Sequence, residues 1–262
     1  MKILFIGDVV GKPGRQALAG LLRKVQEAHG VDLTVANGEN AAGGFGITPE
    51  TGADLLRLGV DVITSGNHIW DKKEVLGYLP KENRLLRPLN YPPGAPGYGS
   101  VVVTARDGTK VAVLNASGRI FMHGLDCPFR ATLAEIEALA GEARVRVVDF
   151  HAEATSEKIA FGRFLDGRVS AVVGTHTHVQ TADERVLPGG TAYISDLGMT
   201  GPAESVIGVE ADIVVRKFLT GMPERFETAK GPAQFQGAVV EIDPGSGLAL
   251  GIQRLSLPAP AA

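Results

Sequence analysis

Six short apolar segments recur along the chain, and within each of them the apolar residues do not alternate with polar ones. Such a segment is typical of a β-strand buried on both faces, in a sheet that helices cover. Four stretches between these segments carry apolar residues at helical spacing, and the alternation predicts a layered α/β fold. The predicted strands are KILFIG, DLTVAN, DVITSG, KVAVLN, RVRVVDF and VSAVVGTH, and the predicted helices are GRQALAGLLRKVQEAHG, TPETGADLLRLG, ATLAEIEALAGEA and SEKIAFGRFLDG.

The domain organisation follows from where the glycines and prolines are concentrated. One domain over residues 1–262 is predicted, with the Pro/Gly-rich segments 84–100 and 116–130 as loops or cap elements. The C-terminal sequence FQGAVVEIDPGSGLALGIQRLSL predicts a β-hairpin that turns at Asp243-Pro244-Gly245. The last residues, Ala259 to Ala262, are predicted to fray.

Charge and composition exclude several classes of protein. The formal net charge is −3 and no run of Lys or Arg occurs, which argues against a duplex nucleic acid as partner. The single cysteine, Cys127, cannot form an internal disulfide or a thiolate metal site. No apolar run approaches the roughly 18 residues of a membrane span, and no signal peptide is recognisable, so a cytoplasmic protein is expected. A homo-oligomer is expected from the frequency of such assemblies.

Polar clusters follow five of the predicted strands. In an open α/β sheet the carboxyl ends of the strands meet at one edge, so these clusters are expected to converge there. Taken singly, Asp8 is more often a turn or cap residue than a ligand, Asn40 and Asn67 beside glycines are frequent in turns, and Asp149 is explained as a structural residue. Together the clusters hold four of the six histidines beside carboxylates and amides, which predicts metal binding. They are Gly7-Asp8, Asn37-Gly38-Glu39-Asn40, Ser65-Gly66-Asn67-His68, Asp149-Phe150-His151 and Gly174-Thr175-His176-Thr177-His178.

The Gly11-Lys12 pair after the first strand offers a competing interpretation as a nucleotide-binding P-loop. That motif requires Gly-x-x-x-x-Gly-Lys-Ser/Thr, and its hydroxyl residue binds Mg²⁺. Here Ile6 stands where the first Gly is needed, and Pro13 stands where the hydroxyl is needed. The P-loop is therefore rejected, and Asp8 is the informative residue of this segment.

The polar clusters resemble the Asp, Gly-Asn-His and Gly-His-x-His blocks of the calcineurin-like metallophosphoesterases. Two positions depart from those blocks, because Val10 replaces the His of Asp-x-His and Glu39-Asn40 follows Gly38 where Gly-Asp is usual. With these two departures the sequence resembles the YmdB-like branch, which pairs GDVVGKPGR with ANGENAAGG. The likeness runs nearly end to end and includes FMHGLDCPF and ISDLGMTG.

This resemblance implies a fold, a cofactor and a ligand set. The fold would be a layered sandwich with central mixed β-sheets flanked by helices and a small loop or cap insertion. Two divalent or mixed-valence metal ions would be present, and oxygen and imidazole donors suit Fe or Mn, with Zn as a further option. The first ion would be held by Asp8, Glu39, Asn40 and His178, and the second by Glu39, Asn67, His151 and His176, with Glu39 bridging.

The resemblance also implies an activity. The chain would hydrolyse small phosphodiesters, 2′,3′-cyclic nucleotides above all, by attack of a hydroxide that bridges the metals. His68 would be catalytic and donate a proton to the leaving oxygen, or alternatively would only orient Asn67 or a carboxylate. A metal-dependent phosphomonoesterase, and a regulatory metal-binding protein in RNA-related signalling, are the alternatives.

Two segments are candidates for the substrate side. Residues 41–47, AAGGFGI, offer backbone N–H groups to a phosphate or form only a flexible connection. Arg119, Phe121 and Phe129 lie in a segment rich in aromatic and basic residues, and could form a wall that contacts base and phosphate. The alternative for that segment is a packed lid whose aromatic rings face the core.

Overall fold

Two mixed β-sheets pack face to face, and helices cover their outer faces, in the computed structural model. The structure describes residues 1–259, so residues 260–262, for which fraying is predicted, lie outside it. The helices are α1 (Gly11–His29), α2 (Pro49–Leu58), α3 (Pro128–Ala138), α4 (Thr155–Leu165) and α5 (Ala211–Thr220), with a 3-10 turn at Lys73–Gly77. The strands are β1 (Lys2–Ile6), β2 (Asp8–Val9), β3 (Leu33–Asn37), β4 (Val62–Thr64), β5 (Ser100–Thr104), β6 (Lys110–Ser117), β7 (Val145–His151), β8 (Ala171–Thr175), β9 (Arg185–Val186), β10 (Ala192–Ile194), β11 (Met199–Pro202), β12 (Ala233–Asp243) and β13 (Leu248–Pro258).

The strand order brings the functional strand ends to one edge. The first sheet has the order β2-β11-β12-β1-β3-β4, with β13 beside β12, and the second has the order β5-β6-β7-β8-β10-β9. In the first sheet β1, β3 and β4 run parallel, with Phe5 opposite Val35 and Ala36 opposite Ile63. In the second, β6, β7 and β8 run parallel, with His151 opposite Thr175. The carboxyl ends of these strands carry the predicted site residues.

The continuous apolar sequences are explained by burial on both sides of each sheet. Successive side chains of a strand point to opposite faces, so Phe5 of β1 packs between the sheets while Leu4 packs beneath Leu18 of α1. In β7, Val145 and Val147 pack between the sheets, and Phe150 stacks on Phe161 of α4 with ring centres 3.9 Å apart. Full burial of each such side chain stabilises the fold by about 1.5–3 kcal/mol.

The predicted strands and helices are confirmed as β1, β3, β4, β6, β7, β8 and α1 to α4, and the C-terminal hairpin as β12 and β13. The loop boundaries need correction. Ser100, placed in the loop 84–100, begins β5, and residues at both ends of 116–130 belong to β6 and α3. Within residues 1–259, no helix combines the length and apolar character needed to cross a lipid bilayer.

The remaining elements were not predicted, and two physical reasons account for β2, β9 and α5. Strands β2 and β9 have two residues each, which are too few to show a period. Helix α5 buries only Val214, and leaves Phe218 and Leu219 about four-fifths exposed, so its apolar residues do not mark a buried face. Both kinds of element are defined by tertiary contacts more than by local pattern.

Candidate metal centre and active site

The polar strand ends of both sheets meet in one cluster, as the sequence predicts. Strand β2 and the turns after β3, β4 and β8 supply most of its members, and His151 is the last residue of β7. Glu39, His151 and His176 each offer one ligand atom, and these three atoms lie within 4.8 Å of one another. This group can hold a metal ion. The structure brings together Asp8, Glu39, Asn40, Asn67, His68, His151, His176 and His178.

One donor set converges on the Nε2 atom of His151. Glu39 Oε1 lies 3.2 Å away, Asn67 Oδ1 lies 3.0 Å away and Nδ1 of His176 lies 3.0 Å away. A ring nitrogen carries at most one proton, so it cannot satisfy three such neighbours with good hydrogen bonds. Carboxylate, amide oxygen and imidazole atoms pointing at one small volume fit a cation.

A second donor set lies around Nε2 of His178. The Asp8 Oδ1 atom is 3.7 Å from this nitrogen, and the Asn40 side-chain amide is 3.2 Å from it. Within the described residues, Asp8 Oδ1 and Asn40 Oδ1 are buried and lack a hydrogen-bond partner. Each such orphaned atom costs about 1–3 kcal/mol, and a cation would offset that cost. His178 Nδ1 lies 2.8 Å from the Ile207 carbonyl oxygen; donating its proton there leaves Nε2 as the free lone pair.

Glu39 links the two sets. Its Oε1 atom faces His151 and also accepts a hydrogen bond from the Asn40 amide at 3.3 Å. Its Oε2 atom accepts the backbone N–H of His68 at 3.1 Å. The carboxylate is 1% exposed, so nearly all of its interactions are with the protein.

Burial and the charges of neighbouring groups shift the pKa values of several side chains in the cluster. Burial raises the pKa of Asp8 to about 6, although His178 and His151 oppose it. Burial also disfavours ionised Glu39, but the charge and hydrogen bond of His151 prevail and lower its pKa to about 2. Burial disfavours charged His151, yet Glu39 raises its pKa to about 9. Burial and the nearby His151 lower the pKa of His176 to about 3, so its imidazole is neutral and ready to act as a ligand.

A buried network fixes the ring of His151. Its Nδ1 atom lies 3.0 Å from the hydroxyl of Thr175, which donates to Asp149 Oδ1 at 2.7 Å. The other Asp149 oxygen accepts from the hydroxyl of Thr64 and, at 3.3 Å, from the amide of Asn37. Asp149 therefore connects both sheets behind the cluster and orients a candidate ligand.

The turn that carries His176 and His178 is strained and strongly held. Both residues have positive φ angles, 103° and 64°, which non-glycine residues rarely adopt. Thr177, between them, donates its N–H and its hydroxyl to Asp196 Oδ2 at 3.1 and 2.8 Å. The Lys158 ammonium donates to the same oxygen at 2.7 Å, and this ion pair is buried. The pair anchors the backbone conformation that aims both imidazoles inward.

Glu153 is a functional candidate that the sequence analysis missed. Its Oε2 atom lies 3.1 Å from Nε2 of His176, whose Nδ1 faces the cluster. A carboxylate on the far nitrogen of a ligating histidine fixes its tautomer and raises its basicity. The position of Glu153, two residues after His151, is the only local signal that could have indicated it.

Glu153→Gln is expected to weaken metal affinity about 10- to 100-fold, because His176 loses the carboxylate that orients its ring. Isothermal titration of the metal-free protein with Mn²⁺ measures the change. The control is Glu142→Gln, an exposed residue before the opposite end of β7. Unchanged Mn²⁺ affinity in Glu153→Gln would remove Glu153 from the site.

His68 stands at the border between the cluster and a cavity. Its Nδ1 atom lies 2.8 Å from Asp71 Oδ2, so the Nε2 atom remains available for proton exchange. Its ring packs edge-on against Phe45 at a centroid distance of 5.1 Å. The cavity has a volume of about 270 Å³ and contacts both donor sets. Its polar wall contains Glu39, Asn40, His68, Glu153, His176 and His178, and its apolar wall contains Val10, Phe45, Ile207, Val209 and Phe226.

The three predicted substrate residues lie elsewhere. Arg119 and Phe121 are exposed on the loop after β6 and do not line the 270 Å³ cavity; the Phe121 side chain is 88% exposed. Phe129 packs on Phe161 and Phe164 at centroid distances of 5.3 and 5.5 Å. This packing corrects the substrate-wall prediction for Phe129. The packed-lid alternative holds for this ring alone, because Phe121 is exposed.

Comparison with known proteins identifies the family. The sequence model for the YmdB-like protein matches residues 4–255. The chain belongs to the YmdB-like family. It is 47% identical over 255 residues, which is 97% of this chain and 96% of the relative, to the 2′,3′-cyclic-nucleotide 2′-phosphodiesterase of Bacillus subtilis (strain 168). The resemblance inferred from the strand-end motifs is confirmed.

Two solved structures share the whole architecture of this chain. A hypothetical protein from Thermus thermophilus superimposes with a TM-score of 0.93 at 43% identity, over 99% of this chain and 100% of that one. A protein described as a novel phosphatase, from Mycoplasma pneumoniae, also gives 0.93, at 35% identity over 100% and 94% of the two chains. The predicted fold of mixed sheets flanked by helices is confirmed, and the relatives with named activities are hydrolytic enzymes.

Proposed function

We propose that this chain is a metal-dependent phosphodiesterase that hydrolyses small phosphodiesters, 2′,3′-cyclic nucleotides above all. The observation that carries the proposal is the pair of donor sets that share Glu39 at the wall of a small cavity. The cyclic-nucleotide activity in the name of the Bacillus subtilis relative supports the substrate class. Small diesters as substrates also agree with a net charge of −3, which disfavours duplex nucleic acid.

The donor sets fit two metal ions. Asp8, Glu39, Asn40 and His178 would hold one, and Glu39, Asn67, His151 and His176 the other, because the orphaned oxygens and crowded imidazoles of the two sets need a cation. Oxygen and nitrogen donors without thiolate favour Fe or Mn and allow Zn. When bound, such ions supply Lewis-acid activation of water and of the phosphate oxygens.

The residues of the chain supply the rest of the chemistry. Hydrolysis of the 2′ ester adds one water, breaks the bond between phosphorus and the 2′ oxygen, and leaves the phosphate on the 3′ oxygen. His68 donates a proton from Nε2 to the departing 2′ oxygen, and Asp71 holds the imidazole through Nδ1. The buried pair of Lys158 and Asp196 keeps the His176–His178 turn in place during turnover. A single domain, a cytoplasmic location and a homo-oligomer remain predictions from the sequence.

The test compares a cyclic nucleotide, bis-p-nitrophenyl phosphate and p-nitrophenyl phosphate as substrates, with Mn²⁺ and with a chelator. We expect both diesters to be hydrolysed faster than the monoester, and the chelator to abolish turnover until Mn²⁺ is restored. Faster hydrolysis of the monoester would instead favour the phosphomonoesterase, in line with the relative described as a phosphatase. Two bound metal ions without cleavage of any substrate would favour the regulatory alternative.

A further inference from the structure

The wall of the cavity away from the donor sets is apolar and contains two aromatic rings. Phe45 and Phe226 line it together with Val10, Ile207 and Val209. Only 6% of the chain is aromatic, so two rings in one small cavity beside a polar cluster need an explanation. The groups that would act at the phosphate lie on the polar wall, so the apolar wall is available to another part of the substrate.

The loop that carries Phe45 is built to bring another segment close to it. Gly43 and Gly44 have positive φ angles of 71° and 95°. The hydroxyl of Thr228 donates to the Gly43 carbonyl at 3.1 Å, and a Cβ atom on Gly44 would lie 2.6 Å from that hydroxyl. Gly44 is thus needed for the close approach of Thr228, whose hydrogen bond holds the loop of Phe45 to the segment that follows Phe226.

Phe226 is held in place by residues that do not belong to the donor sets. The backbone around it pairs with residues 208–210: Glu210 donates its N–H to the Glu227 carbonyl at 3.0 Å, and Val209 bridges to Thr228. The Lys217 ammonium lies 4.4 Å from the centre of the Phe226 ring, a cation–π contact. Phe226 is therefore positioned independently of the predicted metal ligands, whereas Phe45 touches His68.

The size and chemistry of the cavity restrict what can fill it. A volume of about 270 Å³ lies just below the range of small-molecule sites, which span roughly 300–1,000 Å³. It suits a single nucleotide more than an oligomer. A nucleobase has flat apolar faces that stack on aromatic rings, and it is attached to the phosphate that the polar wall would bind.

We propose that Phe45 and Phe226 recognise the base of the substrate, and that the enzyme therefore selects cyclic mononucleotides over phosphodiesters that lack a base. This inference rests on the proposed phosphodiesterase function and deepens it. The exposed loop of Arg119 and Phe121 is excluded from this role because it does not line the cavity.

Phe226→Ala tests the inference with two substrates. One is adenosine 2′,3′-cyclic monophosphate, and the other is the 2′,3′-cyclic phosphate of methyl riboside, which lacks the base. KM for the adenosine substrate is expected to rise about 10-fold, at the lower end of base stacking on an aromatic ring, while kcat and the KM of the base-free substrate stay unchanged. Phe226→Leu keeps an apolar side chain and is expected to raise KM less.

The matched control is Phe218→Ala on α5, because that ring is 81% exposed and lies outside the cavity. It is expected to leave KM unchanged for both substrates. An equal rise in KM for the two substrates, or no rise for either, would overturn the base-recognition role of Phe226. Turnover of the base-free substrate by the unmodified enzyme shows separately that the phosphodiesterase function holds. If neither substrate is cleaved, equilibrium dialysis of adenosine 3′-monophosphate against the Mn²⁺-loaded proteins tests base recognition directly. Tighter binding to the unmodified chain than to Phe226→Ala would support base recognition by Phe226. Equal binding to the two proteins would overturn it.

Discussion

Glu39→Gln is expected to lower kcat/KM for a 2′,3′-cyclic nucleotide by about 10³-fold or more, and to reduce the bound metal. The substitution keeps the size of the side chain but removes the charge that faces both donor sets. Loss of about 4 kcal/mol of the transition-state stabilisation that metal ions provide corresponds to this factor. Metal content by mass spectrometry and the titration of Mn²⁺ into the metal-free protein measure the binding, and steady-state kinetics measure the activity.

The same substitution has a second readout that needs no metal. The charge and hydrogen bond of Glu39 are what raise the pKa of His151 to about 9 against the effect of burial. In metal-free Glu39→Gln the pKa of His151 is therefore expected to fall, because burial then acts against fewer opposing interactions. A histidine NMR titration measures this change. Glu241→Gln, an exposed position opposite Lys2 at the far end of β1, is the control. Normal metal content in Glu39→Gln would exclude Glu39 as the shared ligand.

The strands that build the site were predictable because their burial is nearly uniform. In β1 each residue from Ile3 to Ile6 is at most 1% exposed, so every position requires an apolar side chain and the segment is recognisable. The site residues follow these strands directly, and the parallel pairing of β7 with β8 makes His151 and Thr175 neighbours. The convergence of the polar clusters is a consequence of topology that the sequence pattern already implies.

The supporting residues could not be predicted in this way. Lys158 and Asp196 are separated by 38 residues and lie on different elements, and no local pattern indicates that they meet under Thr177.

The two phenylalanines of the apolar cavity wall, Phe45 and Phe226, were not predicted from the sequence for a related reason. The segment with Phe121 combines two phenylalanines with Arg119, but the Glu157 carboxylate, which accepts the N–H groups of Arg119 and Ile120, fixes that loop with Phe121 exposed. Phe45 and Phe226 line the same cavity only because their loops pack together.

His68→Asn is expected to lower kcat for a 2′,3′-cyclic nucleotide by about 10²- to 10⁴-fold, while metal content stays unchanged. The departing group in this substrate is a ribose alkoxide, which leaves poorly unless it receives a proton. Asparagine cannot supply that proton, but the backbone N–H that donates to Glu39 at 3.1 Å is retained. The contact of Nδ1 with Asp71 concerns no candidate metal ligand, so its loss should not disturb the donor sets.

The choice of leaving group separates catalysis by His68 from a purely orienting role. In bis-p-nitrophenyl phosphate the departing p-nitrophenolate is stable as an anion and needs no proton, so His68→Asn should slow this substrate far less than the cyclic nucleotide. An orienting residue would act through the metal site and would slow both substrates to the same extent, with a loss of bound Mn²⁺. His123→Asn, at an exposed position on the loop after β6, controls for the removal of an imidazole. Equal losses for the two substrates, or near-normal turnover of the cyclic nucleotide, would remove His68 as the proton donor, because only a group that protonates the leaving oxygen makes the loss depend on the leaving group.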